Sequence, residues 1–211
     1  MKYLYDPPFL VKKVFSSFRW NTTDGRILFT FDDGPLPGNT EKILEKLNEL
    51  KIKAIFFCVG DNVRKYPELA KNILEEGHLI GNHTFNHKNL RTLTREELIN
   101  QVKMMNEVLM EKCSYLPKYF RPPYGKFNFS TPGLLKQIDL TAVLWSLLTY
   151  DYKNDFKIVK TSVERYLQGD SIVVFHDSIK SADIIMDSIQ FAADEADKKG
   201  YKTGGPAECL R

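Results

Sequence analysis

The feature of this sequence that most limits its fold is the alternation of short apolar runs with longer amphipathic stretches. The short runs are rich in β-branched and aromatic residues, and the stretches between them repeat their apolar residues at helical spacing. Such alternation is typical of βαβ units, in which a helix joins two parallel strands. Because six or seven units follow one another, the pattern predicts a single-domain α/β barrel rather than an open sheet. The predicted strands are residues 26–31, 54–59, 78–80, 119–120, 142–144, 171–175 and 201–203.

The first 25 residues precede the first predicted strand, and we expect them to cap one end of a barrel that occupies residues 26–211. A chain of 211 residues buries enough surface to form a complete core without staples. Thr94 and Glu97 form a capping box that predicts the start of a helix. The predicted helices are residues 41–50, 67–76, 94–113, 158–167 and 182–199, with a further one beginning at Thr131-Pro132.

Composition and charge exclude several classes of protein. The 30 lysines and arginines exceed the 27 aspartates and glutamates by only three, and no Lys/Arg run is longer than two, so we predict no nucleic-acid partner. The longest apolar runs have the length of a strand, so we predict no membrane span. Asp6 and two prolines interrupt the N-terminus before an apolar region forms, which predicts no signal peptide and a cytoplasmic location. A monomer is the default expectation.

The three cysteines, Cys58, Cys113 and Cys209, lie far apart in the sequence and form no C-x-x-C pair. An odd number of separated cysteines is typical of free thiols in a reducing compartment. We therefore expect neither a disulfide framework nor a cysteine-based metal site.

The residues that carry chemistry follow the predicted strands directly. In βα barrels, catalytic groups occupy the carboxyl ends of the strands, so these residues are expected to meet at one face. Three of the four histidines in the chain lie in such positions. The residues concerned are Asp32 and Asp33 after the first strand, His83 and His87 after the third, Arg121 to Tyr124 after the fourth, Trp145 and Asp151 after the fifth, and His176 after the sixth.

Two of these histidines, His83 and His87, are four residues apart, so both rings can face one point. Two imidazoles and one carboxylate form a catalytic zinc set that leaves a position open for water. Asp32 and Asp33 are adjacent, so their side chains diverge and the two carboxylates can take different roles. The alternatives are that Asp-Asp-Gly-Pro is only a turn and that the histidines are structural.

Arg121 and His176 admit both a functional and a structural interpretation. Two prolines follow Arg121 and fix its backbone, and its guanidinium could keep a neighbouring carboxylate ionised or form a structural ion pair. His176 ends an apolar strand and could be a core residue or a proton donor to a leaving group. His78 has no partner in sequence, and we expect it to be structural.

Four motifs together resemble the polysaccharide deacetylase family, which is the NodB-homology domain of carbohydrate esterase family 4. The resemblance runs from about Ile27 to about Gly200, with the motifs in the family's order. It implies a distorted (β/α)7 barrel and a metal-dependent enzyme that removes N-acetyl groups from N-acetylglucosamine-type sugars, as in chitin and peptidoglycan. The motifs are residues 30–35 (TFDDGP), 83–87 (HTFNH), 121–125 (RPPYG) and the strand that ends at His176.

The resemblance also implies a role for each site residue. Asp33, His83 and His87 would bind Zn2+, with other divalent metals such as Co2+ as alternatives. Asp32 would be the general base and His176 the general acid. The remaining residues would assist: Arg121 would hold Asp32, Asp151 would orient His176, Tyr124 would offer its backbone N–H to the oxyanion, Pro123 would contact substrate, and Trp145 would flank the acetyl pocket.

Two departures from the family's motifs concern the substrate. Tyr152 stands where many members have tryptophan, and Val174 stands where the last motif usually has leucine. Both change the expected walls of the groove, so the acetylated sugar and the choice between N- and O-deacetylation stay open.

Other classes of function remain as alternatives. A binuclear metallophosphatase is disfavoured because Arg64 and Thr84 stand where its acidic residues belong. An iron oxygenase site is usual on a different, all-β fold. A non-catalytic carbohydrate-binding protein is disfavoured because all the catalytic residue types are present.

Overall fold

Seven short parallel strands form the centre of the molecule in the computed structural model, which describes residues 3–211. The strand order in the sheet is β5-β4-β3-β2-β1-β7-β6, and every neighbouring pair is parallel. This confirms the predicted single-domain α/β barrel, since the sheet curls into an incomplete barrel with helices around it. The strands are β1 (Leu28–Asp32), β2 (Ile55–Cys58), β3 (Leu79–Asn82), β4 (Tyr119–Phe120), β5 (Thr141–Ala142), β6 (Leu147–Leu148) and β7 (Ile172–His176).

The two edge strands, β5 and β6, are consecutive parts of one extended segment. Residues 141–142 pair with β4, and residues 147–148 pair with β7 on the opposite edge of the sheet. The segment therefore connects the two edges and carries Trp145 and Ser146 between them. The predicted strands include none at residues 147–148, which is wrong because Leu147 and Leu148 form β6.

The predicted seventh strand, residues 201–203, is also wrong. This segment forms only an isolated bridge, between Thr203 and Ile27. The physical reason is that β1 already has β2 on one side and β7 on the other, so no edge is free for another strand. The count of seven strands is right, but β6 takes the place of the predicted C-terminal strand.

Helices cover the outside of the sheet, and most begin near the predicted positions. The capping box is present, because the Thr94 hydroxyl accepts from the Glu97 amide and the Glu97 carboxylate accepts from the Thr94 amide. Gly77, with φ +80°, follows the helix that ends at Glu75, and a glycine with positive φ is typical of helix C-termini. The helices are α1 (Phe9–Val14), α2 (Thr40–Glu49), α3 (Gly60–Lys65), α4 (Pro67–Glu75), α5 (Arg95–Cys113), α6 (Thr131–Gln137), α7 (Phe156–Tyr166), α8 (Ile185–Lys198) and α9 (Pro206–Cys209).

The core lies on both faces of the strands, which is why their sequences read as continuous apolar runs. Phe31 stacks between Phe56 and Phe175, with ring centroids 4.9 and 5.6 Å away. All five residues of β1 are buried. This packing holds the carboxyl ends of β1, β2 and β7 at fixed positions, and polar residues follow directly from these ends.

The N-terminal segment packs against the barrel through its aromatic residues. Phe18 and Trp20 are buried in a second apolar cluster, and Arg19 pairs with Val143 beyond the end of β5. The capping role of residues 1–25 stays a prediction, and residues 1 and 2 lie outside the described part. No helix within residues 3–211 has both the length and the apolar character needed to cross a bilayer. Cys58, Cys113 and Cys209 are free thiols.

Candidate active site

A cavity of about 340 Å3 lies where the carboxyl ends of the strands meet. Seven of the ten predicted site residues line it, and the other three, Arg121, Asp151 and Pro123, are buried behind its wall. Residues of five separate strand ends thus reach one space, as the barrel topology predicts. The predicted residues that line it are Asp32, Asp33, His83, His87, Tyr124, Trp145 and His176.

Asp33, His83 and His87 converge on one point of this cavity. Asp33 Oδ1 lies 3.2 Å from His87 Nε2 and 3.7 Å from His83 Nε2. One ligand atom from each residue lies within 4.8 Å of the others, and no other such group of three occurs among residues 3–211. Two imidazole nitrogens and one carboxylate oxygen are a donor set that suits a divalent metal such as zinc.

The protonation of the two histidines also suits metal binding. His83 Nδ1 lies 2.7 Å from the carbonyl oxygen of Arg121, which can only accept, so Nδ1 carries the proton and Nε2 presents its lone pair to Asp33. Burial and the neighbouring His83 lower the pKa of His87 to about 4. The His87 ring can therefore serve as a neutral ligand at pH 7, and His83 Nε2 is the ring nitrogen that faces Asp33.

The backbone that carries Asp33 has an unusual conformation. Asp33 has φ +81°, in the left-handed region that non-glycine residues rarely adopt. Its carbonyl accepts from Asn62 Nδ2 at 2.8 Å, and its amide donates to the carbonyl of Phe57 at 3.2 Å. These bonds, from Phe57 on β2 and Asn62 on α3, hold the backbone so that the Asp33 side chain faces the histidines.

Asn82 organises the histidine loop. Its side-chain oxygen accepts from the Thr84 amide at 2.8 Å, and its amide group donates to the carbonyl of Val102 and to Asn106 Oδ1 on α5. Thr84 and His87 have positive φ, so this loop needs support from outside. Sequence reasoning missed this role, although Asn82 directly precedes His83.

Asp32 is buried and paired with Arg121. Asp32 Oδ1 accepts from Arg121 Nη1 at 2.7 Å, while Oδ2 lies 4.0 Å from His83 Nε2. Burial alone would raise the pKa of Asp32, but the positive charge of Arg121 outweighs it and holds this pKa below its usual range. Asp32 is therefore an ionised carboxylate with one oxygen facing the histidine cluster.

Arg121 has no exposed surface, and every part of its side chain has a partner. Nε and Nη2 donate to the carbonyls of Val143 and Leu144 at 2.9 Å, and Nη1 also donates to the Thr30 hydroxyl at 2.7 Å. The guanidinium lies 4.1 Å from the centre of the Phe57 ring. These contacts fix its position, which in turn fixes the carboxylate of Asp32.

His176 lines the cavity from the end of β7 and is bonded twice to Asp151. Its Nδ1 lies 2.7 Å from Asp151 Oδ1, and its amide donates to Asp151 Oδ2 at 2.6 Å. Burial alone would lower the pKa of His176, but the Asp151 carboxylate outweighs it and raises this pKa to about 9. His176 is therefore a protonated imidazole at neutral pH.

The walls of the cavity are largely aromatic. The ring of Tyr124 lies 4.6 Å from that of His87, and the ring of Tyr152 lies edge-on to His176 at 4.7 Å. Gly125, at φ +61°, allows Trp145 to approach, because a Cβ at this position would clash with the indole. Val174 and Leu148 complete the apolar lining.

The amide of Tyr124 is available to a ligand. The amides of Gly125 and Lys126 donate to Pro122 and Pro123. By contrast, no hydrogen-bond acceptor for the Tyr124 amide is found in residues 3–211. Tyr124 itself has φ +59°, so its backbone is held in a conformation that residues other than glycine seldom adopt.

Sequence reasoning missed two further residues near the site. Lys180 lines the mouth of the cavity from the loop after β7. Asp177, which directly follows His176, is 1% exposed, and burial raises its pKa to about 7. Its position after a predicted site histidine was the only signal in the sequence.

The polysaccharide deacetylase family model matches residues 19–143. The chain is 38% identical over 143 residues to a peptidoglycan-N-acetylglucosamine deacetylase of Bacillus cereus, covering 68% of this chain and 52% of the relative. It is 44% identical over 124 residues to chitin deacetylase 1 of Saccharomyces cerevisiae, covering 59% of this chain and 40% of the relative. A solved peptidoglycan N-acetylglucosamine deacetylase has a TM-score of 0.88 at 29% identity, with 96% of both chains covered.

The chain therefore belongs to the polysaccharide deacetylase family, with the NodB-homology fold of carbohydrate esterase family 4. It spans about half or less of the length of the first curated relatives it matches. The family assignment and the fold predicted from the motifs are confirmed, whereas the roles of the individual site residues stay predictions.

Proposed function

We propose that this chain is a zinc-dependent hydrolase that removes N-acetyl groups from N-acetylglucosamine-type poly- or oligosaccharides and releases acetate. The observation that carries the proposal is that one cavity brings together a metal-ligand set, an ionised carboxylate and a protonated imidazole. Hydrolysis of an amide needs these three functions, because water must be activated, the oxyanion stabilised and the amine protonated.

Asp33, His83 and His87 would hold the zinc ion. The fit rests on the donor set and on the proton at His83 Nδ1, which leaves Nε2 free to ligate. When bound, zinc supplies Lewis-acid polarisation of the acetyl carbonyl and lowers the pKa of a coordinated water.

Asp32 takes the proton from the attacking water. Arg121 keeps Asp32 ionised, and the hydrogen bond to Oδ1 leaves Oδ2 directed toward the ligand cluster. General-base assistance of this kind contributes a rate factor of about 10² to 10⁴. An arginine that is itself fixed by three further acceptors keeps the base in one position.

The Tyr124 amide stabilises the oxyanion that forms as the C–O bond is made. This N–H has no hydrogen-bond partner among residues 3–211. The ring of the same residue contacts His87, so Tyr124 lies beside the ligand cluster. One preorganised donor of this kind contributes about 3 kcal/mol to the transition state.

His176 donates its proton to the departing nitrogen as the C–N bond breaks. The sugar amine is a poor leaving group unless it is protonated, and a ring with a pKa of about 9 is protonated at neutral pH. The carboxylate of Asp151 holds the ring through Nδ1, so Nε2 is the atom that can face substrate. Acetate and a free amine are the products.

The lining supports an amino sugar as substrate. Tyr124, Trp145 and Tyr152 offer apolar ring surface of the kind that packs against sugar rings, and Val174 also lines the cavity. The matched relatives are named for peptidoglycan and for chitin, so both polymers are candidate substrates of this chain.

An O-acetyl esterase on the same site is the second candidate. The leaving group of an O-acetyl ester is the sugar alcohol, which can depart with less help from a proton donor than an amine can. Such an enzyme would therefore depend less on His176. A binuclear phosphatase would need a second ligand group, and residues 3–211 contain only one.

Acetate release from a panel of substrates tests the proposal. The panel contains chitooligosaccharides, peptidoglycan fragments and acetylated xylan, each with and without added zinc. We expect zinc-dependent release from an N-acetylated member, and none from a His87→Ala variant. Release from xylan alone would favour the esterase, and no release by a zinc-loaded protein would contradict a deacetylase.

A further inference from the structure

The proposed mechanism makes no use of Asp177, although this residue is a buried acid next to the site. Its side chain points away from the cavity lining and toward the segment between β1 and α2. A buried carboxylate needs hydrogen-bond donors around it, so the donors to Asp177 indicate which part of the structure this residue stabilises.

Asp177 binds the β1–α2 turn, residues 33–38, at both ends. Its amide donates to the carbonyl of Asp32 at 2.8 Å, just before the turn. Its carboxylate accepts from Asn39 Nδ2 at 2.7 Å and from the Thr40 hydroxyl at 2.5 Å, just after the turn. Because the Thr40 hydroxyl accepts from the Leu36 amide at 2.6 Å, its own proton is directed to Asp177.

The middle of the turn also rests on this carboxylate. A Cβ on Gly34 would clash with Asp177 Oδ2, so the glycine backbone lies directly against the side chain. Gly34 follows Asp33, whose left-handed φ of +81° is maintained only if the surrounding structure holds it. Asn62 bonds the carbonyl of Asp33 from one side, and Asp177 supports the turn from the other.

We propose that Asp177 is a positioning residue that holds Asp33 in its ligating conformation by fixing both ends of the β1–α2 turn. The inference rests on the proposed function, since it takes Asp33 as a zinc ligand. Residues that orient a metal ligand affect metal affinity by about 10- to 100-fold when they are removed.

Zinc affinity, measured by competition with a chromophoric chelator, tests this role. Asp177→Asn keeps the shape of the side chain and one acceptor oxygen. Its new NH2 group faces the NH2 group of Asn39, so one hydrogen bond to the turn is lost. We therefore expect zinc binding to be about 10-fold weaker than in the wild type. Asp177→Ala removes both acceptor oxygens, and we expect its zinc affinity to be about 100-fold weaker than that of the wild type. At saturating zinc, most of the turnover lost by Asp177→Asn should return, because the residue acts through Asp33 and not on substrate.

Two further variants separate positioning from a general loss of stability. Ser162→Ala removes a buried hydroxyl that donates to Val159 within α7, and we expect its zinc affinity to equal that of the wild type. Thr40→Val removes one of the two donors to Asp177 and should weaken zinc binding in the same direction as Asp177→Asn. If Asp177→Ala does not fold, these two variants and Asp177→Asn still decide the question.

Two results would overturn the inference in distinguishable ways. Wild-type zinc affinity in folded Asp177→Asn and Thr40→Val would show that Asp177 is only a structural acid, and would leave the proposed function intact. A wild-type protein that binds no zinc would remove Asp33 as a ligand, and with it both the proposed metal site and this role.

Discussion

At the end of β1 the Asp32 carboxylate lies against a buried arginine, and at the end of β7 the His176 ring lies against a buried aspartate. Both pairs have a distance of 2.7 Å between charged atoms, but their polarities are opposite. In the first pair the carboxylate of Asp32 faces the cavity and the guanidinium of Arg121 is buried behind it. In the second pair the imidazole of His176 faces the cavity and the carboxylate of Asp151 is buried behind it.

The difference shows how one small space can hold a proton acceptor and a proton donor at the same pH. Arg121 keeps the pKa of Asp32 low, and Asp151 raises the pKa of His176 to about 9, so the two values are pushed apart. Pairs of titratable groups with opposite shifts are typical of acid–base catalysis. The buried partner, more than the residue at the surface of the cavity, decides the role.

Asp32→Asn should have the largest effect. An amide cannot accept the proton of water, so we expect kcat to fall by about 10³-fold or more while zinc remains bound. The buried Arg121 also loses its counter-charge, which lowers the free energy of unfolding by about 3 kcal/mol or more. Acetate release and zinc content are measured below the unfolding transition, with Asp61→Asn, a half-buried acid on α3 that pairs with Arg64 and Lys65, as the control. A near wild-type rate would contradict the base assignment.

His176→Gln should have the next largest effect. The amide cannot protonate the leaving amine, and we expect kcat on an N-acetyl substrate to fall by about 10²- to 10³-fold. On an O-acetyl substrate the loss should be smaller, since an alkoxide leaves more readily than an amide anion. His78→Gln, which changes a buried histidine that accepts from the Ala54 amide, is the control. Equal losses in the two variants would remove His176 as the acid.

Asp151→Asn should move the pH dependence more than the maximal rate. His176 must be protonated to act, so the rate falls as pH rises through its pKa. Without the Asp151 charge this pKa falls from about 9, and the alkaline limb of kcat should shift to lower pH while the rate near pH 6 is largely kept. The control is Asp155→Asn, an exposed acid that caps α7. An unchanged alkaline limb would show that Asp151 does not tune the ring.

Val174→Leu should have the smallest effect, on the size of the acyl group accepted. Leucine adds a methylene to the cavity wall, so the preference for N-acetyl over N-propionyl substrates, as a ratio of kcat/KM, should increase about tenfold. Val14→Leu, at an exposed position on α1, should leave the ratio unchanged. A change in neither variant would place the acyl group elsewhere in the cavity.

The residues at the strand ends could be predicted from the sequence because the barrel topology brings those ends together. Asp33, His83 and His87 follow β1 and β3, which flank β2, and the parallel order of the sheet brings these strand ends to the same edge. Which residues stand behind them could not be predicted in the same way. The partners of Arg121 come from positions 22 to 91 residues away, and local patterns carry no information on such contacts.

The errors in the fold have the same origin. Residues 201–203 and residues 147–148 are both short segments, and the occupied edges of β1 and the free edge of β7 decide which one joins the sheet. Asp177 was missed because its significance lies in bonds to Asn39 and Thr40, about 138 positions earlier. Short-range spacing predicted the ligands, while long-range packing determines their supports.

Stepwise addition of zinc to metal-free protein, with acetate release followed at each step, tests the central claim most directly. The account predicts no release without metal, a linear increase up to one zinc per chain, and a plateau beyond it, with one free amine formed for each acetate. Release that is unaffected by zinc removal, or that needs two zinc ions per chain, would contradict the single site formed by Asp33, His83 and His87.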